Sequence, residues 1–194
     1  MTTPIHPRAR GRARRVLLGV AALLALAILV VLTIGWLLPV QHRASRAATF
    51  SASPEQVFAL VTAVERYPSW REGVRRVEVV ARGADGSATR FSEESADGTI
   101  LFEVTERIPA RRVVTRIADP SLPFGGRWTF ELSPTAGGTA LRITEDGEVY
   151  NPLFRFASRY VMGHASSIER WLRDARGALA TTTSALPDRR DRSP

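Results

Sequence analysis

The chain has 194 residues, a formal net charge of +8, no cysteine and no lysine, which excludes disulfides, thiol nucleophiles, cysteine-ligated zinc and lysine Schiff-base catalysis. Residues 1–46 hold seven arginines and no acid, and residues 183–194 hold three arginines and two aspartates. That leaves 17 of the 27 arginines facing 17 of the 19 acids between them. A neutral central domain gives no basis for nucleic-acid binding, which needs concentrated positive charge.

Residues 1–15 form a basic N-terminus, expected to be cytoplasmic. Residues 16–38, VLLGVAALLALAILVVLTIGWLL, are 23 uncharged residues that reach about 35 Å as a helix, more than the ~30 Å hydrocarbon core, and predict a transmembrane helix. A cleavable signal peptide is the rival reading, with Ala44 to Ala48 offering small residues to a peptidase, but its apolar core is normally only ~7–15 residues. Arg8, Arg10, Arg12, Arg14 and Arg15 precede the span, against Arg43 and Arg46 after it. This predicts a single-pass protein of the cell membrane with its C-terminal domain extracytoplasmic, Trp36 at the outer interface and Pro39 ending the helix.

After a linker at residues 39–45, a domain is expected over residues 46–180. A short strand covers Arg46 to Phe50. Ser53-Pro54-Glu55-Gln56 then supplies an N-cap hydroxyl, a proline at the first helical position and a glutamine that completes a capping box. A second short helix covers Val64 to Tyr67 and breaks near Pro68.

Six strands follow, near Val74–Ala81, Ala88–Glu94, Thr99–Arg107, Arg112–Ala118, Arg127–Leu132 and Thr139–Val149. Turn residues such as Asp85-Gly86, Asp97-Gly98 and Gly137-Gly138 separate them, the mark of an antiparallel meander. The Asp-Gly pairs are turn chemistry rather than calcium ligands. Asn151-Pro152 opens a helix expected to run to about Ala180. Its stripe of Leu153, Ala157, Tyr160, Val161, His164, Ile168, Leu172, Ala175 and Leu179 is expected to face the sheet. Residues 181–194 read as a disordered tail.

The opening ATFSASPEQVFALVTAVERYPSWREGVRRVEVV and the later WTFELSPTAGGTALRITEDGEVYNPLFRF resemble the start and the close of the SRPBCC superfamily, which includes START domains and polyketide cyclase/dehydrase-like proteins. The resemblance covers about residues 44–180. It implies an α+β helix-grip fold: a curved antiparallel sheet of about seven strands wrapped on a long C-terminal helix, here behind one transmembrane helix. It further implies an elongated cavity between sheet and helix for a hydrophobic small molecule or lipid. The family has no shared catalytic set to carry over, and no cofactor or metal is implied.

Within the domain residues, His164 is the one histidine. Two readings stand: a general acid/base or ligand anchor, or a partly buried histidine satisfied by a carbonyl or water. Glu145 shares strand parity with Leu141 and Ile143, so it points inward unless a bulge at Asp146-Gly147 turns it to solvent or to an arginine such as Arg116 or Arg90. Tyr67, Trp70, Phe91, Phe102, Trp128, Tyr150, Phe156 and Tyr160, with His164, are the candidate cavity lining, and Phe130 belongs to the same aromatic set. Non-catalytic binding is the leading function. A cyclase- or hydrolase-type enzyme using His164 and Glu145 on an apolar, polyketide-like substrate is one alternative, and a protein-interaction module of the cell envelope is another.

Overall fold

In the computed structural model, which describes residues 7–96, 98–162 and 166–184, the arginine-led apolar segment forms one helix, α1 (Pro7–Leu37). Within it Arg14–Leu37 is long and apolar enough to cross a membrane, and its most apolar part is not covered by the rest of the protein. Strand β1 (Gln41–Phe50) follows almost at once. It begins well before the expected Arg46, because its polar first half pairs with a distant strand in unbroken register, from Gln41 opposite Glu148 to Phe50 opposite Thr139.

Helix α2 (Pro54–Thr62) starts as its sequence demands. The Ser53 hydroxyl accepts from the Gln56 backbone N–H at 3.3 Å, and the Gln56 side chain accepts from the Ser53 N–H at 2.9 Å. A 3₁₀ turn, Val64–Ser69, carries Tyr67 into the interior. There its hydroxyl donates to the Val61 carbonyl at 2.6 Å. Burial pushes that phenol well above its ordinary value, with Arg71 opposing and Glu93 adding to the rise.

The meander comprises β2 (Val74–Arg82), β3 (Ala88–Ser95), β4 (Gly98–Ile108), β5 (Arg112–Ile117), β6 (Phe124–Thr135) and β7 (Gly138–Val149). With β1 they make one antiparallel sheet in the order β1-β7-β6-β5-β4-β3-β2.

The expected C-terminal helix does not keep one α-helical geometry over its described residues. Helix α3 (Pro152–Ala157) is capped by the Asn151 side chain, a π-turn follows at Ser158–Met162, and α4 runs from Ser166 to Ser184. The two helices have different partners, and a π-turn is one of the few ways a helix can change direction without a proline. Helix α4 packs on the sheet and buries Ile168, Leu172, Ala175 and Leu179 of the expected stripe, together with Trp171. Leu153 and Tyr160, from the same stripe, are 53% and 60% exposed. Helix α4 also enters the segment expected to be a tail, whose residues 185–194 lie outside the described ones.

The core lies between α4, α2 and the inner face of the sheet. Leu141, Ile143, Ile168, Val57 and Val113 are fully buried there, each stabilising the fold by about 1.5–3 kcal/mol.

Candidate functional site

A run of aromatic rings occupies the space where the cavity was expected. Phe102 stacks on Phe91, Phe91 meets Tyr67 edge-on, and Tyr67 meets Trp70 in the same way. Trp70 then meets Trp171 at 5.4 Å, Trp171 meets Phe130 at 5.2 Å, and Phe130 meets Trp128 at 6.1 Å between ring centres. The expected lining therefore divides. Tyr67, Trp70, Phe91, Phe102 and Trp128 belong to this packed chain, which Trp171 completes. Phe156 and Tyr160 pair with each other at 5.0 Å on the segment beside α1. Tyr150, 47% exposed, lines a separate recess. His164 lies outside the described residues.

That recess lies at the strand ends nearest α1, where Gln41, Arg43, Arg127, Asp146 and Glu148 of the outer face line it together with His42. Past Ile143 and Phe130 the next inward cross-strand pair is Glu145 with Trp128, and the pair after it is Gly147 with Gly126. His42 stands opposite Gly147 on β1. The absence of a side chain at Gly147 makes room for the His42 imidazole. A Cβ on Gly147 would lie 2.2 Å from Cε1 of His42, so the imidazole rests directly over that glycine. The loop after β5 closes the other side through Pro120, giving a recess of about 970 Å³ that His42, Gly125, Gly126, Gly147 and Tyr150 help to line.

Glu145 points inward. Strand β7 keeps unbroken register with both neighbours through Asp146 and Gly147, so the bulge that would have turned it to solvent does not form. Asp146, on the outer face, instead meets Arg43 and Arg127 at 3.5 and 3.3 Å. Arg116, weighed as a partner for Glu145, pairs with Glu103. Glu145 accepts from the Ser167 hydroxyl of α4 at 3.0 Å, and its other oxygen lies 3.7 Å from Nε2 of His42. That second distance is too long for a hydrogen bond. Both side chains are mostly buried, with 16% of His42 and 19% of Glu145 exposed.

Burial holds the His42 imidazole below its usual value, so at neutral pH it is an uncharged donor and acceptor beside a carboxylate. The arrangement can anchor the polar end of a ligand or move a proton. Because the folded state resists protonating His42, the unfolded chain takes up a proton first as pH falls. Stability is therefore full above about 6.5, the ordinary histidine value, and declines as pH drops from there toward the folded value. In denaturant titrations across that window, part of the fall should disappear in His42→Gln; identical falls in both proteins would refute the assignment.

Sequence reasoning missed His42 because it placed the residue in a linker. The signal available was the alternation of β1, in which positions 42, 44, 48 and 50 share the face that carries buried Ala48 and Phe50. A smaller depression of about 440 Å³ on the outer face of the sheet shares Arg43, Arg116, Arg127 and Asp146 with the recess and is lined by arginines and acids. These pair with one another, for example Arg112 with Glu106 and Glu131, as expected of a solvated surface.

An antiparallel sheet gripping a C-terminal helix, with a recess at one end, defines a START-like domain. The chain belongs to the polyketide cyclase/dehydrase and lipid transport family, whose model matches residues 41–182. No curated protein matches the sequence. Among solved structures, a START superfamily protein from Mycobacterium smegmatis is similar, with 19% identity and a TM-score of 0.60 over 73% of this chain and 99% of that one. The Zhui aromatase/cyclase from Streptomyces sp. R1128 is similar at 14% identity and a TM-score of 0.61, covering 75% and 97%. The di-domain ARO/CYC StfQ of the steffimycin biosynthetic pathway is similar at 17% and 0.59, covering 76% of this chain and 53% of that one. At these identities the likeness is one of fold.

Proposed function

We propose that this protein is a membrane-anchored binding protein whose recess takes an apolar or amphipathic small molecule, a lipid foremost, without transforming it. The observation that carries the reading is the recess of about 970 Å³ at the end of the domain from which α1 departs, within the size range of ligand pockets. Gly125, Gly126 and Gly147 help to line it, and His42, 3.7 Å from Glu145, offers a polar anchor. Helix α1 crosses the membrane, and the arginines before it hold the N-terminus in the cytoplasm, so the domain stands on the extracytoplasmic side.

Native mass spectrometry of the full chain released from detergent tests this. A defined lipid mass should accompany the protein and be lost in Gly125→Phe, which fills the recess where only the movable end of Tyr150 lies close. Equal lipid occupancy in both proteins would contradict the reading.

A second reading is a cyclase- or hydrolase-type enzyme on an apolar substrate. It draws on His42, which lines the recess and lies 3.7 Å from Glu145, and on the aromatase/cyclase named among the structural neighbours. Under it, His42→Ala and Glu145→Ala abolish turnover while leaving the bound mass in place.

A further inference from the structure

We infer that α3 and the π-turn after it form a second membrane contact, lying in the headgroup region of the leaflet where α1 ends; this rests on α1 spanning the bilayer. Helix α3 is fixed to that end of α1. Gly35 is buried against it, and a Cβ there would come within 2.0 Å of the Pro152 carbonyl oxygen. The Arg155 guanidinium donates to the Leu38 carbonyl at 2.8 Å and to the Trp36 carbonyl at 3.4 Å, capping the last turn of α1.

Arg14–Leu37 is 24 residues, about 36 Å of helix against a ~30 Å hydrocarbon core. The carbonyls that Arg155 holds thus lie at the membrane–water boundary, and α3 is held at the same depth. Its surface suits that depth. Leu153, Phe154 and Tyr160 are each about half exposed, an arrangement that costs free energy in water and gains it in a bilayer interface.

The charge agrees. Residues 150–162 carry Arg155 and Arg159 and no acid, although the domain as a whole is neutral. A basic segment with exposed aromatic and aliphatic side chains fits anionic lipid headgroups. The contact would also set the angle of the domain, turning the recess lined by Tyr150 toward lipid.

The chain has no cysteine, so single-cysteine variants of the full protein can carry an environment-sensitive fluorophore in vesicles of phosphatidylcholine and phosphatidylglycerol. Doxyl-labelled lipids should quench a label at Phe154→Cys about twofold or more with shallow doxyl groups. A label at Gly137→Cys, in the turn at the far end of β6 and β7, should stay unquenched. A label at Leu26→Cys, midway along α1, should respond to deep doxyl groups. Quenching at Leu26 but not at Phe154 overturns the second contact and leaves the anchor standing. No quenching at Leu26 overturns both, whatever Phe154 does. Quenching at Gly137 equal to that at Phe154 overturns the specific contact.

Discussion

Replacing Trp171 by alanine is expected to lower the unfolding free energy by about 3–5 kcal/mol, the range for removing a large aromatic from a packed interior. Trp171 is 3% exposed and joins two halves of the core. On one side it meets Trp70, which continues through Tyr67 to Phe91 and Phe102; on the other it meets Phe130 and Trp128. Helix α4 presents this ring to the sheet, so the cavity left behind lies between helix and strands, where the backbone cannot easily close over it. Urea titration of the full chain in detergent, followed by circular dichroism, measures the loss. A cost below about 1 kcal/mol, the size of an ordinary surface substitution, would mean that the ring does not bridge the core.

Gly126→Val is expected to cost about 2–5 kcal/mol and to abolish lipid retention in the recess. Gly126 has φ +124°, in a region that β-branched residues avoid, and a Cβ there would lie 2.4 Å from the Asp146 carbonyl oxygen and 2.8 Å from the Gly147 Cα. Both obstacles are backbone, so relief requires parting β6 from β7 where they line the recess. Glu145 sits one residue away on β7 and would lose its orientation toward Ser167. The neighbouring Gly125→Ala serves as the control. Its nearest obstacle is the hydroxyl end of Tyr150, which can swing aside. If Gly126→Val matched that control in stability and in bound mass, Gly126 would have no role in the recess.

Local chemistry was readable from sequence where the determinants are neighbours in the chain. The Ser53–Gln56 capping box and the Asn151-Pro152 helix start formed as expected because their partners are two or three residues away. The inward aim of Glu145 was readable from strand parity, though not the choice between that aim and a bulge. His42 was hidden because the polar run at 41–47 owes its strand conformation to β7, about a hundred residues on. The π-turn in the C-terminal helix was hidden for a similar reason: the apolar stripe continues on both sides of it, but α3 takes the end of α1 as its partner and α4 takes the sheet. Trp171 escaped because it lies beside the stripe, and Trp70 and Phe130 reach it from either side.

The pairing of the first strand with the last also governs how the domain assembles. Ser45 and Thr144, hydrogen-bonded neighbours on β1 and β7, are 99 residues apart. The ends of a loop that long meet only after the meander between them has formed, and such non-local pairings slow folding. During that interval β7 presents a bare edge, a template for another chain. Because β1 belongs to the same chain as β7, the loop that joins them raises its local concentration over that of any competing strand.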